Sequence, residues 1–581
     1  MCRARGASWG MLWPLFLSAG AVLLVGAFLC DWGESEWSEA DVTAYKLEKE
    51  AFVSGLLGTT MREVVLGTMP IPAGLWLFNE AKAVTQLMWG PSVLQYRADR
   101  TFLLEMASVV LPTLVIMVWA SSAAMLVTVQ VLASVGLAWL ACSSRRIAAP
   151  ENVHQLKALG DIRADGHGTS AIPRYTWCEV SAAWMRERLH CPAVPRKAVI
   201  TNYRAGVMLL TCITILAVDF QVFPRRFAKT EVYGTGLMDL GVGAIMFSSG
   251  VSSGSRSKPS KGTDADKRAT TRDVSRGGWG GGALHRLGST LLRSWPLLVL
   301  GFSRLVVVKA LRYQEHVSEY GVHWNFFLTI VCARLLVVLA SSLCSPGLRA
   351  PLSLGALGAY QGMLTWGGLE GYIVHADRVG FVSKNREGIL GLIGFTAIYL
   401  IAEDIGRRCV GSGGHHAAPI SRGLATPQAR PRAALLKLTA VDAVLWGGTL
   451  LSRMCIQDTS RRMVNLTYVL WVCAHSTFLL ALLLLVDMHS TLPPSPRTST
   501  SISTSSSAAT RTTTGILDAI SSNMFPVFMV ANLATGAVNV CMRTLHAGSA
   551  TAVSVLVVYI TAVCAFAVGL NGSKWAVRLK V

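Results

Sequence analysis

The chain has 581 residues, of which 52% are apolar and only 15% charged, with a mean hydropathy of +0.45. This is far more apolar than a soluble protein of that size, and it predicts an all-α, polytopic membrane protein. The net charge of +20 does not point to nucleic acid. No basic helix or aromatic-and-basic stripe carries it, and basic loops between spans are what the positive-inside rule predicts. The 13 cysteines are odd in number, lie mostly in apolar segments and never form CxxC, so neither a disulfide framework nor a zinc site is indicated.

Residues 9–30 form an apolar run behind Arg3 and Arg5, read as a first span or an uncleaved signal anchor within an N-terminal extension, residues 1–45. Residues 46–581 read as one multi-span domain. Apolar segments near the ~20 residues a helix needs to cross hydrocarbon follow at 61–78, 102–120 and 122–141. They continue at 205–222, 235–249, 295–311, 322–342, 352–368, 388–403, 439–454, 464–486, 523–541 and 550–570. The expected total is about 14 spans, or 13 without the first. Basic or Ser/Gly-rich segments at 142–203, 252–293, 404–437 and 488–515 are assigned to the cytosol, the second as a disordered linker. Residues 219–233 then form a hairpin tip facing the lumen. No GxxxG packing is needed to account for the glycines.

On this topology four polar motifs fall at the same side of the membrane: 219–231, 313–323, 385–388 and 460–465. Charge between two apolar segments is costly and usually functional. The first motif holds Asp219, Arg225, Arg226, Lys229 and Glu231, and Asp239 follows. Pro224 is expected to break the helix, letting Asp219 and Lys229 fold toward each other, either as a catalytic pair or as a structural ion pair. Arg225 and Arg226 suit bidentate phosphate binding, and equally interfacial contact with lipid. In the second motif His316, Glu319, Tyr320 and His323 would share one helical face, lining a polar cavity or forming a seam between helices. The spacing is not HExxH, so no metal is expected. Asn325, Arg386, Glu387, Arg461 and Arg462 complete the candidate substrate-binding set, Glu387 being equally at home as an N-terminal helix residue. Asn465 begins a glycosylation sequon where a span starts and is expected to be inaccessible, hence unmodified.

At these residues the chain resembles the inositol acyltransferases of glycosylphosphatidylinositol (GPI) anchor synthesis, the PIG-W family. The resemblance rests on KEAFVSGL at 49–56, FPRRFAKTE at 223–231, MDLGVG at 238–243, and the stretch 313–327. It extends to NREG at 385–388, SRR at 460–462 and NLATGAVN at 532–539. It implies an endoplasmic-reticulum enzyme moving a long acyl chain, typically palmitoyl, from acyl-CoA to the inositol ring of glucosaminyl-phosphatidylinositol, with no cofactor besides that co-substrate. The family's catalytic Asp and Lys correspond to Asp219 and Lys229. Residues 1–45 and the loops at 142–203, 404–437 and 488–515 depart from the family pattern. Asp219 is expected to take the inositol proton, with Lys229 tuning it or stabilising the oxyanion. Without a GxSxG elbow or a paired Cys/His, direct transfer is favoured over an acyl-enzyme. A lipid or solute transporter, or flippase, would also place charges inside a polytopic bundle, but no inverted repeat is evident.

Overall fold

The computed structural model describes residues 39–89, 98–119, 123–147, 196–256, 279–310, 317–410, 429–489 and 515–572. Each expected apolar segment after residue 30 coincides with a helix, and the segment 9–30 lies outside the described residues. In chain order the helices are α1 (Glu39–Phe52), α2 (Met61–Thr68), α3 (Pro70–Trp89), α4 (Asp99–Val118), α5 (Ala123–Ile147), α6 (Arg196–Ala217) and α7 (Leu240–Arg256). They continue with α8 (Trp279–Arg293), α9 (Trp295–Ala310), α10 (Phe326–Leu343), α11 (Arg349–Thr365), α12 (Leu369–His375) and α13 (Arg386–Ile405). The last are α14 (Ala429–Cys455), α15 (Leu466–His489), α16 (Ile516–Ser522), α17 (Met524–Cys541) and α18 (Ser549–Gly572). Among the described residues nine helices are long and apolar enough to cross a membrane, which makes this a multi-pass, all-α membrane protein.

The remaining expected spans are helices that fall short of that standard for visible reasons. The segment 61–78 is cut at Met69 because Pro70 starts a new helix, and the continuation α3 carries Glu80 and Lys82. Helices α7, α9 and α11 have 17, 16 and 17 residues. Residues 279–293, expected within a disordered linker, form the helix α8, whose exposed Leu284, Leu291 and Leu292 sit beside Arg286 and Arg293. Leucines and arginines on neighbouring faces are the composition of an interfacial helix.

The bundle is organised around α15, the most enclosed of the candidate spans, which packs on α3, α6, α7, α13 and α14. Close approach between α7 and α13 depends on glycine. A Cβ at Gly250 would stand 2.3 Å from the Tyr399 carbonyl oxygen, and one at Gly254 would stand 1.9 Å from that of Glu403. From the other side, a Cβ at Gly406 would stand 2.5 Å from the Val251 carbonyl oxygen. The pair Gly250 and Gly254 is thus a GxxxG contact, contrary to the expectation that none is needed. In lipid the gain comes from backbone proximity, which composition alone does not register.

Replacing Gly254 by Ala should therefore separate α7 from α13. Thermal unfolding in detergent should report a loss of about 1–3 kcal/mol, the usual cost of overpacking a tight contact. The same change at Gly136, which has nothing within 4 Å of its Cβ position, should cost little.

Candidate functional site

Helix α6 stops at Ala217, well before Pro224, and the chain then runs through an irregular loop to Leu240. Arg225 accounts for the early stop. Its Nη2 donates to the carbonyls of Val218 (2.8 Å) and Phe220 (3.2 Å), and its Nε to that of Phe223 (3.2 Å), satisfying oxygens that a continued helix would have used. The guanidinium also lies 4.0 Å from the Phe52 ring centre, and burial pulls its pKa down to about 10 although Asp219 opposes this. Arg225, a candidate phosphate ligand by sequence, thus donates to the loop's own backbone. Arg226 pairs with Glu63 at 2.7 Å and is half exposed, and Glu231 donates its backbone N–H to Leu56.

The loop crosses the segment between α1 and α2 at contact distance. Thr59 N–H donates to Thr235 O (2.6 Å), and the Thr235 hydroxyl donates to Thr59 O. Gly234, at φ +125°, passes so close that a Cβ would lie 2.1 Å from Leu57 O.

Asp239 fixes the other end of the loop. Fully buried, its carboxylate accepts from Thr230 N–H and hydroxyl, from Gly236 N–H at 2.7 Å, and from Arg461 Nε at 2.8 Å. Burial pushes the Asp239 carboxyl up, against the pull of Arg461 and these donors. Arg461 is itself buried, which lowers its pKa. Glu319 and Asp239 outweigh that and hold the guanidinium above its ordinary range.

The four motifs meet here. Lys229 Nζ contacts Glu319 at 2.8 and 3.0 Å, Arg461 bonds Asp239, and Arg462 Nη2 reaches Glu387 at 3.1 Å. All six residues line one cavity of about 470 Å³. Its remaining wall is mostly apolar, with Val207, Leu210, Ile245, Phe327, Leu479 and Phe528. On α6 the lining runs from Tyr203 to Ile215, roughly 18 Å at 1.5 Å per residue, so the cavity is a slot with a charged end. Thr68 and His475, hydrogen-bonded at 3.1 Å, add a polar contact within the wall. Val464, at φ +49°, also lines it. It is the only non-glycine with positive φ among the described residues, a strained conformation for a β-branched side chain.

The structure does not bring Asp219 and Lys229 together. Asp219 is buried, accepts from Asn539 Nδ2 at 2.8 Å and pairs with Lys49 Nζ at 3.2 Å, while Lys49 donates to Asn539 Oδ1 at 2.7 Å. It is not among the residues lining the cavity. The loop turns away after Val218 because Arg225 folds under it, so the nine residues between the two groups lead them to different partners.

The shared face expected for His316, Glu319, Tyr320 and His323 is not formed either. The helix covers only Val317–Tyr320, Gly321 has φ +113°, and His323 uses its backbone N–H on Asn385 Oδ1 at 2.7 Å. His316 lies outside the described residues. Asn325 is a helix cap, accepting from Phe327 and Leu328 N–H and donating to Gly301 O at 2.8 Å. Arg386, buried, caps the end of α12 through Ile373 O at 2.9 Å and Ala376 O at 2.5 Å. Glu387 takes Arg378 and Arg462 together, and Gly388 leaves room for the Trp324 ring. The NREG motif thus supports neighbouring backbone and ion pairs, and Glu387 also lines the cavity. Among the described residues no cluster of His, Cys, Asp or Glu is placed to hold a metal ion.

Sequence reasoning passed over Lys49, Asn539, Glu63 and Arg378, each the ionic or hydrogen-bond partner of a chosen residue. Lys49 and Asn539 stand inside the quoted motifs, which was the available signal. Asn465 is fully buried and bonded to Ser460 N–H, Tyr468 N–H and Asp458 O.

Two outcomes follow. Asp239→Asn, by leaving Arg461 facing an uncharged partner, should cost about 3–5 kcal/mol in thermal unfolding, the range for breaking a buried ion pair. Treating protein from a glycosylating host with an endoglycosidase should leave the Asn465 peptide at its unmodified mass.

The GWT1 family matches residues 45–570. The chain is 32% identical over 553 residues to GPI-anchored wall transfer protein 1 of Gibberella zeae, covering 93% of this chain and 100% of that one. It is 33% identical over 537 residues to the protein of that name from Aspergillus fumigatus, covering 91% and 97%. An uncharacterized protein of Arabidopsis thaliana is 34% identical over 375 residues, covering 64% and 72%. With a match over nearly the whole chain and relatives covered almost end to end, the protein belongs to the GWT1 family, as its resemblance to the PIG-W inositol acyltransferases leads one to expect.

Proposed function

We propose that this protein is a membrane-bound O-acyltransferase of GPI-anchor biosynthesis, moving a long acyl chain, palmitoyl in the first instance, from acyl-CoA to an inositol hydroxyl of glucosaminyl-phosphatidylinositol. The observation that carries the reading is the slot itself, a mostly apolar cavity whose lining also includes Lys229, Glu319, Asp239 and Arg461. An acyl chain fits the apolar wall, and its thioester would then lie among the charged groups. The name of the fungal relatives, GPI-anchored wall transfer protein, supports the GPI pathway.

Transfer from a thioester to a hydroxyl requires a proton acceptor, donors for the tetrahedral oxyanion, and exclusion of water. Lys229 supplies a donor. Its ammonium carries three N–H groups, and a carbonyl oxygen arriving at the mouth of the slot can take one of them. Arg461 and Arg462 bring to the same end guanidinium groups suited to a phosphate-bearing inositol lipid. No cofactor beyond the co-substrate is needed. In this reading the charged end faces the lumen of the endoplasmic reticulum, the orientation that a positive-inside charge bias favours, with surrounding membrane lipids as its other contacts.

Purified protein in lipid nanodiscs, given palmitoyl-CoA and glucosaminyl-phosphatidylinositol, should release CoA and form an acyl-inositol product detectable by mass spectrometry. Lys229→Met should lower kcat by ~10²–10³, the usual cost of losing one oxyanion donor. Movement of the glycolipid across the bilayer with no thioester consumed would reject the enzyme in favour of a flippase.

A further inference from the structure

Granted acyl transfer, we propose that the carboxylate that takes the inositol proton is Glu319, and that Asp219 is a positioning residue acting through Lys49 and Asn539. Two independent placements carry this. Glu319 lines the slot beside Lys229, with both carboxylate oxygens within 3.0 Å of Nζ, so a hydroxyl entering the charged end meets acceptor and oxyanion donor together. Asp219 is enclosed in a triangle with Lys49 (3.2 Å) and Asn539 (2.8 Å), closed by the 2.7 Å bond from Lys49 to Asn539, and does not line the slot.

That triangle ties three separate pieces of chain: the end of α1, the loop after α6 and the end of α17. Phe528 and Met529 of α17 form part of the slot wall, and Lys229 is carried on the same loop as Asp219. Removing the Asp219 carboxylate strands a buried ammonium and releases the loop that carries Lys229. Activity would fall without Asp219 touching any substrate.

The chemistry balances with Glu319 alone. The thioester carbonyl draws on Lys229, which loosens its contacts with Glu319. The inositol O–H gives its proton to a Glu319 oxygen as the hydroxyl oxygen bonds to the thioester carbon. The oxyanion rests on Lys229. Collapse re-forms the carbonyl and breaks the C–S bond, and the departing CoA thiolate takes the proton from Glu319. The net change is one ester and one CoA thiol from one alcohol and one thioester.

The test measures steady-state acyl transfer in nanodiscs, its pH profile, and thermal unfolding for each variant of the full-length chain. Wild-type turnover is the control: if wild type consumes no thioester, acyl transfer itself is overturned and the base with it. With wild type active, Glu319→Gln should lower kcat by ~10²–10⁴, remove the acid limb of the profile, and leave both KM values and the unfolding temperature near wild type. The double variant Asp219→Asn with Lys49→Met keeps an acceptor for Asn539 and no unpaired buried ammonium, and should stay within about tenfold of wild-type kcat. Asp219→Ala should lose activity and unfolding temperature together. If the double variant does not fold, Asp219→Asn alone decides, since a positioning residue leaves the acid limb in place whatever the rate. The assignment fails if Glu319→Gln keeps kcat within about tenfold of wild type. It fails equally if the acid limb disappears with Asp219→Asn.

Discussion

The buried carboxylate of Asp239 is the constraint on which the charged end of the bundle depends. One side chain collects a backbone N–H and a hydroxyl from Thr230, a backbone N–H from Gly236 and the Arg461 guanidinium, with Lys229 adjacent to Thr230 in the chain. An unpaired charge in that position would cost several kcal/mol, so the loop before α7 and the turn before α15 have to arrive together. Tyr468 adds a bond from α15 to the Asp239 carbonyl at 2.7 Å. The position of the Lys229 ammonium, and therefore of the charged lining of the slot, follows from this crossing.

Most of the charge in the site is used to pair with other charge or with exposed helix ends. Arg225, Arg386 and Asn325 satisfy carbonyls and N–H groups where helices stop or start, and Glu387 joins Arg378 to Arg462. Inside a membrane every irregular segment has to be satisfied within the protein, because lipid offers no hydrogen bonds. A bundle that opens its helices around a slot thus needs many polar residues to satisfy its own framework. Only those whose side chains also reach the slot, among them Lys229, Glu319, Asp239, Arg461 and Arg462, combine both duties.

Wall and mouth divide the labour of the cavity. Under the proposed acyl transfer its apolar flank along α6 would take the acyl chain and its polar end would offer paired donors and acceptors, so that affinity and chemistry would draw on different residues. The strained backbone at Val464 belongs to the same place. It sits between Gly391 and Gly394 of α13 on one side and the slot on the other, and those glycines are what let it fit.

Hydrophobic runs of near-spanning length announced the helices and the membrane, because segment length and apolarity are local quantities set by bilayer thickness. Polar motifs at the same ends of their spans likewise announced that 219–231, 313–323, 385–388 and 460–465 would gather. Partners were not legible. Asp219 and Lys229, ten residues apart, were natural candidates for each other, yet Lys49 and Glu319 hold them, because ion pairs are chosen by which helix ends adjoin and not by distance along the chain. Gly250 and Gly254 looked dispensable for the same reason, since their value lies in the α13 backbone that packs against them. Composition and spacing determined an all-α membrane bundle and where its polar residues cluster. Packing alone decided which of those residues face the slot and which merely close the backbone around it.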